Sequence, residues 1–207
     1  RIVHGAASFL LTGDAGQRQE SSLVDTDGDR PASTVLKAGH HGSATSSSRA
    51  FLDAVSPAVV TVSSAYNSQY GHPDEAVLDR LATRGMPAFW TATHGTIRFT
   101  SDGHNVTVAT QRAAPTDPAN LRAGDPVEPG TASAFELRAI IDATTGTVTP
   151  ATGTPLGTAD PDAPAEPPLA LVEINADAAG DDRTNLNGES LVFENRPLPV
   201  FFGDFRC

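Results

Sequence analysis

The feature that most constrains this chain is a strand-like apolar run that stops at a glycine and hands over to paired imidazoles: Val35-Leu-Lys-Ala-Gly-His-His-Gly-Ser43. Upstream, Phe9-Leu-Leu-Thr-Gly-Asp14 repeats the design with a carboxylate at its end, and downstream Tyr70-Gly-His72-Pro73 supplies a third imidazole just before a helical stretch. Short apolar runs fit strands buried in a sheet, and each glycine marks where the chain must turn. A rigid sheet that fixes polar tips beside open loops is well suited to holding a metal ion or meeting a substrate. One Asp or His at a strand end is ordinarily a turn or cap residue. An ordered series of Asp, His-His and His, flanked by glycine, points instead to a site.

The intervening segments read as alternating strands and helices. Residues 2–12 form two short strands around Gly5, and residues 17–24 a short helix. Asp25-Thr-Asp-Gly-Asp29 has the alternating carboxylates of a calcium loop but lacks the later bidentate Glu, so it reads as a solvated acidic turn. Ser46–Val55 opens on capping serines and carries Phe51, Leu52 and Val55 on one helical face. Ala58–Val62 is a buried strand suited to parallel pairing. Pro73 fits the first turn of a helix, Asp74 and Glu75 complement its dipole, Val77, Leu78 and Leu81 are its buried face, and Gly85 ends it. Ala88–Trp90 and Thr96–Phe99 are expected to pair as strands, followed by a third strand over Asn105–Ala109. The pattern is that of an α/β layered fold.

The motif series, with Ser46-Ser-Ser48, Phe51-Leu52 and Gly95-Thr-Ile97 added, resembles the C-terminal half of a metallo-β-lactamase-fold hydrolase. The similar branch is the hydrolase domain of competence-type DNA-internalisation proteins (the ComEC family), and the resemblance spans roughly residues 6–109. It implies half of an αββα sandwich and a divalent-metal site, zinc or manganese, with two ions in the complete domain. It assigns Asp14 as the bridging carboxylate and one imidazole of His40-His41 as a ligand, the other either supporting the ligands from behind or facing substrate. Consecutive side chains at an extended strand tip point to opposite sides, which favours His40 as the metal ligand and His41 as the catalytic partner. His72, before a helix N-terminus, is expected to act in catalysis or on a substrate phosphate, with Ser43 and Ser46–Ser48 as further hydroxyl donors, or Ser46–Ser48 as caps only. His94 stands where the family usually has an acidic residue and receives no role. His4 and His104 are expected at the surface. The family's upstream His-x-His-x-Asp-His loop is absent from these residues, so the chain as it stands is expected to be a fragment that binds metal weakly and is inactive.

Composition changes at Ala113. Residues 113–168 are rich in Ala, Thr, Pro, Asp and Gly and read as a largely disordered linker, with Phe135–Ile141 as its one apolar island, open to a reading as a single strand docking on a neighbour. Residues 169–207 carry two strand patterns, Leu169–Ile174 and Glu189–Asn195, and resemble the opening of a lamin-tail domain, a small immunoglobulin-like β-sandwich. That piece is short of the ~100 residues and about seven strands of a full sandwich. The expected organisation is therefore 1–112 hydrolase half, 113–168 linker and 169–207 partial sandwich.

A net charge of −11 on 207 residues opposes general attraction to nucleic acid phosphates. Lys37 is the sole lysine among many aspartates, a bias like that of proteins from salt-rich surroundings. Cys207 is the sole cysteine, which excludes an internal disulfide framework and any cysteine-based zinc site. No run has the length of a membrane span. These readings together favour a metal-dependent phosphodiesterase or nuclease related to DNA uptake, with DNA or another phosphodiester as partner and an extracellular or cell-surface location. Two alternatives stay open. One is hydrolysis of a different ester or amide; the other is an adhesion or scaffold protein acting through the lamin-tail-like part.

Overall fold

The computed structural model describes residues 1–27, 32–127, 134–155, 170–174, 191–195 and 198–199. It is mixed α/β, built on two sheets. In chain order the first sheet takes β1 (Ile2–His4), β2 (Ala7–Leu11), β3 (Val35–Lys37), β4 (Val59–Val62) and β5 (Ala88–Trp90), side by side in that order. β1 and β2 form an antiparallel hairpin, whereas β2 to β5 run parallel, with Leu10 opposite Leu36, Leu36 opposite Val60 and Val60 opposite Ala88. Helices α1 (Gln17–Asp27), α2 (Arg49–Val55) and α3 (Glu75–Thr83) connect them, as parallel neighbours require.

The parallel strands are apolar on both faces because both are covered. Leu10, Leu36, Val60 and Val62 face a core completed by Phe51, Leu52 and Val55 of α2 and Val77, Leu78 and Leu81 of α3. Phe9, Val35, Val59 and Phe89 face the other way, onto Ile97, Phe99, Val106 and Val108 of the second sheet. Phe9 meets Phe99 edge to face across the sheets, with ring centroids 6.3 Å apart. Helices thus cover one side of the first sheet and the second sheet covers the other.

That second sheet corrects one sequence expectation. Ala88–Trp90 does not pair with the strand at Ile97. After β5 the chain makes the single turn α4 (Thr91–His94), crosses to the other layer and continues as β6 (Ile97–Ser101), which pairs with β7 (Asn105–Thr110). Gly95 permits the crossing: its φ is +70°, and a Cβ there would come within 2.7 Å of the Gln111 side chain.

The stretch expected to be a linker holds structure in its described part. Asp117 caps a 3-10 turn at Pro118–Ala123 that buries Leu121 against the helix-side core. β8 (Glu136–Asp142) and β9 (Val148–Pro155) form a hairpin that extends the second sheet from β7. Ala139 and Ile141 provide the buried face of β8. Ladder hydrogen bonds and one apolar edge are enough to order this polar, Pro-rich sequence once β7 offers a template.

Two strands from the expected sandwich lie in the same sheet. β10 (Ala170–Ile174) pairs with β6 and with β11 (Leu191–Asn195), which pairs with β12 (Leu198–Pro199). The remaining positions of the lamin-tail resemblance, Asp182 and Asn185 among them, fall outside the described residues, as does Cys207.

Smaller differences have local causes. Asp25 and Asp27 end α1 rather than form a turn, residues 28–31 lying outside the described set. Pro73 precedes the cap of α3 instead of entering its first turn, since Asp74 is the N-cap and accepts from Ala76 N at 2.9 Å. No helix among the described residues is long and apolar enough to cross a membrane.

Candidate functional site

The C-terminal ends of β2, β3 and β4 open on one edge of the first sheet, where parallel strands leave their loops free to meet a ligand. The loop after β2 carries Asp14, a 3-10 turn at Gly39–Gly42 carries His40 and His41, and the loop after β4 carries Tyr70 and His72. The sequence motifs therefore converge. Ring centroids lie 6.4 Å apart between His40 and His41 and 5.9 Å apart between His40 and His72. His41 Nε2 is 3.8 Å from Asp14 Oδ1.

Main-chain bonds tie these loops together. His40 N donates to Gly13 O at 2.9 Å, Ala38 N to Thr61 O at 2.9 Å, and Asp74 N to Gly42 O at 2.8 Å. Gly42 is required by both conformation and space: its φ is +82°, and a Cβ would sit 2.8 Å from Pro73 Cβ. The His-His turn is thereby pressed against the loop that carries His72.

His40 and His41 are not extended. Both are left-handed, with φ of 48° and 57°, a conformation that costs a residue with a Cβ roughly 1–2 kcal/mol. The strand-tip alternation used to divide their roles therefore does not apply. The hydrogen bonds separate them instead. His41 Nδ1 lies 2.9 Å from Ser63 O; a carbonyl only accepts, so Nδ1 carries a proton, and in the neutral ring the lone pair is left on Nε2, the atom towards Asp14. A metal-binding imidazole is oriented in the same manner. The 3.8 Å separation is too long for a hydrogen bond, yet both atoms can reach one ion at bond lengths of about 2.0–2.2 Å. Asp14 and His41 thus fit as two donors of a divalent-cation site. Among the described residues no group of three His, Cys, Asp or Glu side chains completes it.

The other expected residues are placed as follows. Ser43 is buried, and its hydroxyl bonds within its own turn to Thr45 Oγ1 at 3.0 Å and Thr45 N at 3.3 Å. Ser48 caps α2, accepting from Phe51 N. Ser46 is buried below the imidazoles, its hydroxyl within 2.5 Å of Gly39 O and 2.9 Å of Ser43 O. His104 is exposed, while His4 is half-buried, with Nδ1 3.1 Å from Ser101 Oγ. His94 is fully buried against Phe89, and burial pushes its pKa down to about 4 despite carbonyls at Trp90 and Ala114 that favour the charged form.

Several supporting residues escaped the sequence reading. Glu20 of α1 is fully buried and accepts from Ser47 N at 2.5 Å and Ser48 N at 2.9 Å, fixing the turn beneath the imidazoles. Arg80 of α3 donates to Ala44 O at 3.2 Å and Ser46 O at 3.0 Å on the same turn. Arg122, in the stretch read as linker, donates to Gly71 O at 2.7 Å and Pro73 O at 2.5 Å, bracketing His72. Its own carbonyl accepts from Tyr66 Oη, and Tyr66 stacks on Trp90 with centroids 5.3 Å apart. The Asp117-Pro118 pair, a cap followed by proline at the first helical position, was the available sequence signal for this element.

Curated proteins are similar over about half of this chain. The competence protein ComA of Neisseria gonorrhoeae is 46% identical over 99 residues, which cover 48% of this chain and 14% of that protein. The ComE operon protein 3 of Bacillus subtilis is 33% identical over 95 residues, covering 46% and 12%. Recombination protein 2 of Haemophilus influenzae is 36% identical over 97 residues, covering 47% and 12%. The aligned part of this chain therefore spans only 12–14% of the length of these relatives. No family model matches, and no solved structure matches significantly. A relation to competence proteins is supported by these identities.

Proposed function

We propose that this chain carries part of a metal-dependent phosphodiesterase or nuclease of the metallo-β-lactamase type, serving DNA uptake. One observation carries the reading: Asp14 and the imidazoles of His40, His41 and His72 gather at the same sheet edge, with His41 Nε2 3.8 Å from Asp14 Oδ1. Similarity to competence proteins supports the biological setting.

In this reading Asp14 and His41 are ligands of a divalent cation, zinc or manganese, and the roles first given to His40 and His41 are exchanged. The Ser63 carbonyl supports that choice by holding the His41 proton on Nδ1. The ion, when bound, supplies Lewis acidity towards a phosphoryl oxygen. His40 and His72 donate N–H groups to the phosphate, and His72 reaches it from a loop that Arg122 holds. Ser43 contributes to the turn rather than to substrate, because its hydroxyl is already engaged with Thr45. Asp14 and His41 alone do not complete such a site, so this reading requires at least one further ligand.

Metal content after dialysis against zinc or manganese tests the ligand assignment. Asp14→Ala and His41→Ala should lose bound metal, while His40→Ala and His72→Ala should keep it. A longer protein containing this chain should hydrolyse bis(p-nitrophenyl) phosphate with metal and lose that activity in Asp14→Ala. Unchanged metal content in Asp14→Ala would return that residue to a turn role and remove the proposal.

A further inference from the structure

Tyr70 is an aromatic ring left open at the rim of the site. It is 54% exposed, beside only Val3 and Ile140 as exposed large apolar side chains among the described residues. Val3 lies on β1 and Ile140 on β8, outside the loops that carry His40, His41 and His72, whereas Tyr70 stacks on His72, with centroids 5.9 Å apart and an interplanar angle of 24°. His72 meets His40 at a further 5.9 Å, so the open ring continues directly into the imidazoles. The loop is fixed in this pose: Gly71 N donates to Ser68 O at 2.9 Å, and Arg122 holds the carbonyls of Gly71 and Pro73.

We infer that Tyr70 is a stacking platform for one base of a single-stranded nucleic acid whose phosphate lies against His72 and His40. This rests on the phosphodiester reading and names its substrate class. Charge favours a short-range device of this kind. At a net charge of −11 the chain has no long-range attraction for a polyanion, so affinity must come from local contacts, and an aromatic face accepts any base. A duplex keeps its bases inside the stack, which selects a single strand as the ligand.

The test uses the whole chain and two fluorescein-labelled probes of equal length: oligothymidylate, and an abasic oligomer with the same phosphodiester backbone. Oligothymidylate should bind roughly ten-fold more tightly than the abasic probe. Tyr70→Ala should remove that difference and leave abasic binding in place, while Tyr70→Phe and Tyr70→Trp should preserve it. The exposed position of Tyr70 on a loop spares the core, and the aromatic replacements separate stacking from loss of fold. Equal binding of the two probes by the native chain would overturn the platform while leaving the phosphodiester site standing. An equal loss for both probes in Tyr70→Ala would also overturn it, reducing Tyr70 to a prop for His72. Absence of binding to either probe would overturn this inference and count against the phosphodiester reading as well.

Discussion

Burial of His94 makes the stability of this fold fall on mild acidification. Its imidazole is enclosed by Phe89 and the α4 turn, and its pKa lies near 4 instead of 6.5. The unfolded chain therefore binds a proton below about pH 6.5 that the folded chain refuses until about pH 4, so stability drops as pH falls through that window. It is insensitive to this group above the window. The full difference corresponds to about 3 kcal/mol. Between about pH 7.5 and about pH 5.5 the expected loss is about 1.3 kcal/mol. That interval lies largely above the range in which Asp53, Asp102 and Asp142 titrate, since their pKa values are lowered by Arg84, by the Asn105 and His104 amides, and by the Thr145 and Thr144 amides respectively. Urea unfolding followed by tryptophan fluorescence at a series of pH values measures the loss directly, because the single Trp90 is buried beside His94. His94→Gln should lower stability at neutral pH and flatten the dependence. A flat native profile across the window, or an equal slope in His94→Gln, would refute burial of the neutral ring as the cause.

Three further outcomes follow from the supports of the site. Gly42→Ala should destabilise by at least about 2 kcal/mol, through left-handed strain and collision with Pro73, and the thermal midpoint will read it. Glu20→Ala strands the buried amide of Ser47 and the half-buried amide of Ser48 and should cost about 2 kcal/mol in denaturant unfolding, whereas Arg18→Ala, exposed on the same helix, should change little. Arg122→Ala should cost only about 1 kcal/mol globally because the side chain is exposed, yet speed amide exchange at Gly71, which hydrogen–deuterium exchange will show.

Much of the first sheet was legible because its strands are short, buried on both faces and punctuated by glycine. The buried face of α3 could be read from Val77, Leu78 and Leu81, and the convergence of Asp14, His40, His41 and His72 from their place in the loops that follow β2, β3 and β4. The handling of the His-His pair was not legible. Extended geometry was the natural assumption after β3, and only tertiary ties to Gly13 and Pro73 hold two successive residues left-handed. Glu20 sits in a polar helix whose sequence looks solvated; its burial follows from two amides supplied by a distant turn. The β5–β6 expectation failed because four residues of α4 carry the chain between layers without any periodicity of their own. β8 coincides with the apolar island Phe135–Ile141, which the sequence offered as a strand docking on a neighbour, whereas β9 was hidden by composition, since its order depends on pairing with β8 more than on apolar content.

The site loops are joined chiefly by main-chain atoms: His40 N to Gly13 O, Ala38 N to Thr61 O, Asp74 N to Gly42 O. Every non-proline residue supplies the same amide and carbonyl, so these joints are indifferent to which side chain stands at positions 14 or 72, while position 40, held left-handed, disfavours β-branched residues. The edge therefore behaves as a socket whose contacts can be exchanged without rebuilding the frame. Such a frame can drift from one ligand set to another by single substitutions, each intermediate still folding. The same property makes it a scaffold for installing new donor sets by design, with Gly42 and Glu20 as the two positions that must be left untouched.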